Sequence, residues 1–251
     1  MMKKIWIILL AVLVLAVFSA AAEDAAVTVA FTDEGLAQEA DGVSFHDGVV
    51  SIFKPGTYEL SGTLTDGQIE VTAAEKGAVV LILNGVTVHN ETTAAVYIGK
   101  CESRVVISLA EGTENVISDG PAAGADPDEE PNGALFSKSD LAIEGSGSLL
   151  VTAGRVDGIV SKDTLTIRAG KITVEARRQG IKGKDCVVIE DGVIDITAGK
   201  DGIKSTNKKD AALGYISITG GTIHIVCGDE PVQAETRFDI EGAKITTEKV
   251  Q

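Results

Sequence analysis

Two series of oxygen-bearing side chains recur at fixed intervals. Asp157, Asp201 and Asp229 form one, with Gln179 between the first two, and Asp163, Asp185, Asn207 and Glu235 form the other. Carboxylates and an amide in such an array supply the hard oxygen donors that suit calcium rather than zinc or iron. The same side chains could instead cap their own turns by accepting backbone N–H groups. Among them stand cations: Lys162, Lys182, Lys184 and Lys204, with Arg177 and Arg178 just upstream. Ammonium and guanidinium groups on one face could hold a polyanionic sugar chain, or could simply pair with the neighbouring aspartates.

Other chemistry is sparse. His46, His89 and His224 are scattered, and no Ser/His/Asp or Cys/His arrangement follows from spacing. His224, between Ile223 and Ile225, reads as an outward surface residue. No phosphate-binding glycine loop or dinucleotide fingerprint is present. Cys101, Cys186 and Cys227 make an odd count without a CxxC pair. Each lies in or beside a Val/Ile-rich run, where a free thiol behaves as a small buried hydrophobe.

The elements that must position these residues are set by an internal repeat. Asp157-Gly158-Ile159-Val160-Ser161-Lys162-Asp163 returns as Gln179-Gly180-Ile181-Lys182-Gly183-Lys184-Asp185 and again as Asp201-Gly202-Ile203-Lys204-Ser205-Thr206-Asn207. After each come two short alternating segments joined by a glycine turn, as in Leu165-Thr166-Ile167, Ala169-Gly170 and Ile172-Thr173-Val174. Period-2 alternation broken by glycine at regular intervals excludes a helix bundle. Each repeat is too short to bury its own apolar face, so neighbours must stack, with parallel pairing between coils. A jelly roll or an immunoglobulin-like sandwich does not predict in-register repeats. The fold expected is therefore all-β: a right-handed parallel β-helix with coils of about 22 residues.

Stacking converts sequence positions into columns about 4.8 Å apart. Asp157, Gln179, Asp201 and Asp229 then share one column, and Asp163, Asp185, Asn207 and Glu235 another. For the first column, capping and metal binding both remain open. The second, with carboxylates close enough to repel, points to calcium. If Ile159, Ile181 and Ile203 face inward, so do Ser161, Gly183 and Ser205. Val160, Lys182 and Lys204 then face outward, beside Lys162, Lys184 and Thr206. The result is a basic stripe on an otherwise acidic solenoid.

Met1 to Ala22 reads as a signal peptide: Lys3 and Lys4, an apolar run from Ile5 to Phe18, then Ser19-Ala20-Ala21-Ala22 for cleavage. An uncleaved anchor is the competing reading. The protein is accordingly expected to be secreted, with no membrane insertion once the leader is removed. Residues 23–76 are expected to form an irregular N-terminal cap, with strands over Ser51 to Glu59 and Gln68 to Thr72. Residues 77–251 are expected to form the solenoid, with Gly120 to Gly133 as an exposed loop. A net charge of −15, with 28 Gly and 4% aromatic residues, disfavours nucleic acid and anionic lipid as partners.

Asn84-Gly85-Val86-Thr87-Val88, Leu109-Ala110-Glu111-Gly112-Thr113-Glu114-Asn115, Ser137-Lys138-Ser139-Asp140-Leu141 and the Asp-Gly-Ile coils, in that order, resemble the secreted carbohydrate-binding β-helix family, whose members are shaped like pectate lyases. The resemblance covers about residues 50 to 250. It implies calcium binding, with positions among Asp157, Asp163, Asp185 and Asp201, and recognition of cellulose and of acid sugars such as polygalacturonate, with no established catalytic activity. Two departures stand out. Gln179 and the sequence Asp229-Glu230-Pro231 break the Asp-Gly-Ile pattern, which puts a cation site at each in doubt. The single tryptophan, Trp6, lies in the leader, and the mature chain has few of the aromatic rings that grip crystalline cellulose, which puts binding to it in doubt.

The function expected is calcium-assisted, non-catalytic binding of acidic polysaccharide and, by resemblance, cellulose. Two alternatives are a pectate-type lyase with Lys182, Lys204 or Arg177 as base, and a purely structural surface solenoid.

Overall fold

The computed structural model describes residues 25–121 and 126–250. The leader, its cleavage site and Trp6 lie outside the described residues. Within them the chain forms twenty-five β-strands and no α-helix. No helix among them is long and apolar enough to cross a membrane.

The strands stack in three series. The first runs through Val105–Leu109, Leu141–Gly145, Thr164–Ile167, Cys186–Ile189, Tyr215–Ile218 and Phe238–Ile240. The second runs through Glu114–Asp119, Ser148–Ala153, Lys171–Ala176, Val193–Ala198, Thr222–Cys227 and Lys244–Lys249. The long strand Val79–Asn90 pairs with the first series through its start and with the second through its end, joining them in one sixteen-stranded sheet. The third series forms a separate nine-stranded sheet that includes Val96–Cys101, Gly133–Ser137, Asp157–Ser161, Ile181–Gly183, Ile203–Ser205 and Val232–Gln233. Apart from a hairpin at the N-terminal edge of the third, pairing from coil to coil in all three series is parallel, which is the signature of a chain that always travels the same way round.

The alternation read in the sequence is the cause. In Lys171–Ala176, Ile172 and Val174 are fully buried while Thr173 points outward. Ile172, Ile194 and Ile223 are in register from coil to coil. Each such residue contributes about 1.5–3 kcal/mol when buried, and a lone coil would leave it half wet. Ile159, Ile181 and Ile203 also align, with Ser161, Gly183 and Ser205 inward and buried, as expected.

In the Asp-Gly-Ile coils the glycine answers to space. A Cβ on Gly180 would stand 2.4 Å from Ile196 Cγ2 and 2.8 Å from the Gly202 carbonyl oxygen. The turn is pressed against the second series and against the next coil, and no side chain fits between them.

Residues 25–76 combine a hairpin with the first coils of the ladder. Val43–His46 folds back antiparallel on Val49–Ile52 through Asp47-Gly48, both at positive φ (47° and 78°), the conformation of a tight hairpin turn. This hairpin closes the N-terminal edge of the third series. The parallel ladder nevertheless reaches well into this segment. Val49–Ile52 pairs with Gln68–Ala73, and Gly56–Leu64 pairs with Val79–Asn90. The strand expected over Ser51 to Glu59 is two strands, interrupted at Phe53-Lys54-Pro55.

Candidate carbohydrate-binding face

The outer surface of the third series carries the cations. Its register aligns Tyr97, Phe136, Val160, Lys182, Lys204 and Gln233 in one outward row. A neighbouring row holds Lys138, Lys162, Lys184 and Thr206, one after each strand end. The face is thus apolar at one end and cationic at the other.

The apolar end departs from expectation. Val160, expected to face outward, does so but is only 1% exposed, because it packs with Phe136 and Ala94, with Tyr97 against them. Tyr97 and Phe136 stack with ring centroids 6.1 Å apart. The side chains do point away from the solenoid interior, but a small second core forms over them. The segment 126–132 returns to this face rather than standing free. Asn132 Nδ2 donates to the Pro127 carbonyl oxygen, and Glu130 reaches Lys138 and Lys162.

The cationic end differs as well. Lys182 and Lys204 are not open ammonium groups. Lys182 Nζ lies 3.1 Å from Asp157 Oδ2, and Lys204 Nζ lies 2.7 Å from Asp201 Oδ2. Each aspartate also accepts a backbone N–H from the next coil: Gln179 N on Asp157 Oδ1 and Glu230 N on Asp201 Oδ1. Gln179 Nε2 sits 3.5 Å from Asp201 Oδ2, so it takes the place of an aspartate in the column while serving as a donor. The first column is a ladder of carboxylates that cap the neighbouring coil and seat lysines.

Burial and pairing compete at these two positions with opposite outcomes. At Asp157 burial dominates and pushes the carboxyl above its ordinary value, against the pull of Lys182, the Gln179 N–H and Arg178. At Asp201 burial also raises the carboxyl. There Lys204, the Glu230 N–H and Gln179 together outweigh it and hold the group below its ordinary value.

The second column is assembled differently. Asp163 is pushed up, first by burial and then by Asp140 and Asp185, with Lys184 opposing. Asp185 Oδ1 accepts a hydrogen bond of 2.7 Å from Asn207 Nδ2, while Asn207 Oδ1 accepts the N–H groups of Lys209 and Asp210. Glu235 faces Lys208 at 3.4 Å, and Asp229, expected in the first column, faces Lys200 at 3.1 Å. Asp140 was not singled out in the sequence. Its Oδ1 accepts the Thr164 N–H, which draws it toward the column. The stack Ser137-Lys138-Ser139-Asp140 over Ser161-Lys162-Asp163 held the signal, blurred by one residue of register.

The fit of a calcium ion follows from these donors. The oxygens of Asp157 and Asp201 are committed to lysine and backbone donors, and a cation there would have to displace an ammonium group. Asp163 beside Asp140 and Asp185 is a set of oxygens whose mutual repulsion a cation would relieve. Among the described residues, no three or more His, Cys, Asp or Glu side chains converge closely enough to hold a metal.

Of the remaining cations, Lys184 is exposed and makes no ion pair among the described residues. Arg177 is exposed, and Arg178 is half-buried with its Nε lacking a hydrogen-bond partner. His224 points outward, between Asp195 and Glu248, as expected. The three cysteines are free and buried.

Comparison with known proteins gives a consistent result. Residues 46–251 match the family described as carbohydrate-binding domain-containing protein. A protein of that description from Acetivibrio thermocellus is 40% identical over 146 residues, covering 57% of this chain and 51% of the relative. The chain thus spans about half the length of the curated relative it matches. A solved structure of a polysaccharide lyase-like protein from C. thermocellum, a gadolinium derivative, superposes with a TM-score of 0.77 at 37% identity. That superposition covers 90% of this chain and 96% of the other.

Proposed function

The chain belongs to the carbohydrate-binding domain-containing family, and from that premise we propose that it is a secreted, non-catalytic binder of acidic polysaccharide, acting through the third face of a right-handed β-helix. The observation that carries the reading is the alignment of lysines on successive coils. Lys182 is in register with Lys204, and Lys162 precedes Lys184 by one coil. Rungs about 4.8 Å apart present cations at intervals that suit a polymer bearing a carboxylate on each sugar. Lys182 and Lys204 remain 23% and 22% exposed, so each can touch a ligand while seated on its aspartate.

Calcium is part of the proposal. Asp163, Asp185 and Asp140 do not converge on a common point; a calcium ion would have to draw them together, and would then supply positive charge beside Lys184. Neutral cellulose is the weaker ligand in this reading, because Tyr97 and Phe136 are packed against each other rather than laid out as a ring platform.

The test is binding of the mature domain to polygalacturonate by calorimetry or gel retardation, with calcium and then with EDTA. Binding that weakens at least tenfold in EDTA is expected. Absence of binding in both conditions would sink the acid-sugar reading. A second reading, a lyase, draws on the similarity to a polysaccharide lyase-like protein. Growth of unsaturated-uronate absorbance in the same samples would establish it in place of the non-catalytic one.

A further inference from the structure

Glu130 stands apart from the other acids on the third face. Asp157 and Asp201 belong to the stacked coils, are buried, and hold backbone N–H groups as well as lysines. Glu130 comes from the excursion between the strands Glu114–Asp119 and Gly133–Ser137, which separates the paired residues Val96 and Leu135 by far more chain than a coil needs. Its two carboxylate oxygens go to two lysines of successive coils, Oε1 to Lys162 Nζ at 2.5 Å and Oε2 to Lys138 Nζ at 3.5 Å. The carboxylate is 31% exposed, and Lys138 and Lys162 are 44% and 37% exposed. Burial pushes the Glu130 carboxyl up, but the two lysines together overcome this and hold it below its ordinary range.

We infer that Lys138 and Lys162 form a clamp for one carboxylate of an acidic polysaccharide, and that Glu130 fills this clamp as an internal mimic of the sugar acid. The inference rests on the acid-sugar reading above and adds to it a subsite, a residue (Lys138) and a competitor carried by the protein itself. A two-oxygen group between two ammonium groups is the arrangement a uronate would adopt. Lys184, one coil further on and without an ion pair among the described residues, continues the row beyond Glu130 and offers the adjoining carboxylate a place. An exposed ion pair is weak and screened by solvent, so a polymer that engages several rungs at once can displace a single glutamate. Lys182 and Lys204 cannot be unmasked in this way. Their aspartates are fixed in the coils, and losing either would strand a buried group.

An internal competitor lowers apparent affinity by the fraction of time the clamp stands open. Glu130→Gln should therefore tighten binding to polygalacturonate about 3–10-fold. Glu129→Gln in the same segment makes the same change of net charge and should shift it less than about twofold, a margin for screened surface charge. Lys138→Met placed on Glu130→Gln should abolish the gain, and fully methyl-esterified polygalacturonate should show none. In the unaltered protein, addition of polygalacturonate should speed amide exchange over residues 128–132 as Glu130 is expelled.

If the unaltered protein binds while Glu130→Gln matches Glu129→Gln, the clamp is refuted and the acid-sugar reading survives. Unchanged exchange over 128–132 on binding would refute it equally, whatever the variants do. If no form binds, both the clamp and the reading fail.

Discussion

At the residue scale, the molecule shows how one side-chain type takes on different electrostatic roles according to burial. Asp119, at the end of Glu114–Asp119, is the clearest case. It is 6% exposed, and its Oδ1 accepts the Arg155 N–H at 3.0 Å. Burial nevertheless wins over that bond, the Gly154 N–H, and the charges of Arg155 and His89, so the carboxyl is pushed up from 3.8 to about 6. The native state then keeps a proton that the unfolded chain has already released between about pH 4 and 6. Wherever the native state binds more protons, stability falls as pH rises, so this group costs the fold about 2–3 kcal/mol by pH 7. Asp119→Asn keeps the acceptor and removes the charge. Urea melts of both proteins across pH 4 to 7 should show the variant gaining on the parent through that window, by about 2 kcal/mol. A constant difference would mean that Asp119 is solvated and ionised throughout. Asp157 and Asp201 extend the point: both are buried and each is seated with a lysine, yet burial wins at Asp157 and raises it, while the donors win at Asp201 and lower it.

At the element scale, the close approach of turn to core makes a sharp prediction. Gly180→Ala places a methyl group against Ile196 Cγ2 and the Gly202 carbonyl oxygen at distances that no real contact shows. The coil must open by several tenths of an ångström in a ladder whose hydrogen bonds continue on both sides. The expected cost is about 2–3 kcal/mol, read as a lower denaturation midpoint with an unchanged m-value. A smaller loss, under about 0.5 kcal/mol, would mean that the turn can shift without disturbing its neighbours.

The same coils show what could be read without coordinates. The glycine, the inward isoleucine and the alternating segments after them carry the parallel stacked fold in plain view, because the repeat imposes them at each turn. The partners of the outward lysines do not appear in the pattern. Lys182 seats on Asp157, from the preceding coil, whereas Lys204 seats on Asp201, three residues before it in its own coil. Identical positions in the repeat thus find different partners, since Gln179 replaces an aspartate in the intervening coil. Val160 and Phe136 escaped for another reason: their burial depends on neighbours on the outer face that alternation within a strand cannot encode. Asn115 escaped too. Its buried amide accepts the Gly85 and Val86 N–H groups and donates to Thr113 and the Ser148 carbonyl, an inward polar bracket that looks like an ordinary loop residue.

At the scale of the whole molecule, a solenoid is held by contacts between adjacent coils, so its stability is distributed along the axis rather than pooled in one centre. Among the described residues, an interior coil is paired on both sides and the last is paired on one. The C-terminal strands Phe238–Ile240 and Lys244–Lys249 occupy the ends of their series, with Phe238 58% and Ile240 41% exposed. At the other end, the Val43–His46 hairpin covers the edge of the third series. The open C-terminal edge is guarded by charge: Lys244, Glu248 and Lys249 lie on its final strand, where they discourage edge-to-edge pairing. Fraying should therefore proceed from the C-terminal coil inward. Amide hydrogen exchange should show Phe238–Ile240 and Lys244–Lys249 opening with free energies several kcal/mol below those of Thr164–Ile167 and Lys171–Ala176. Between them, Tyr215–Ile218 and Thr222–Cys227 should be intermediate. Uniform protection along the axis would instead require a global opening event, in which the terminal coil contributes as much as its neighbours despite having half their pairing.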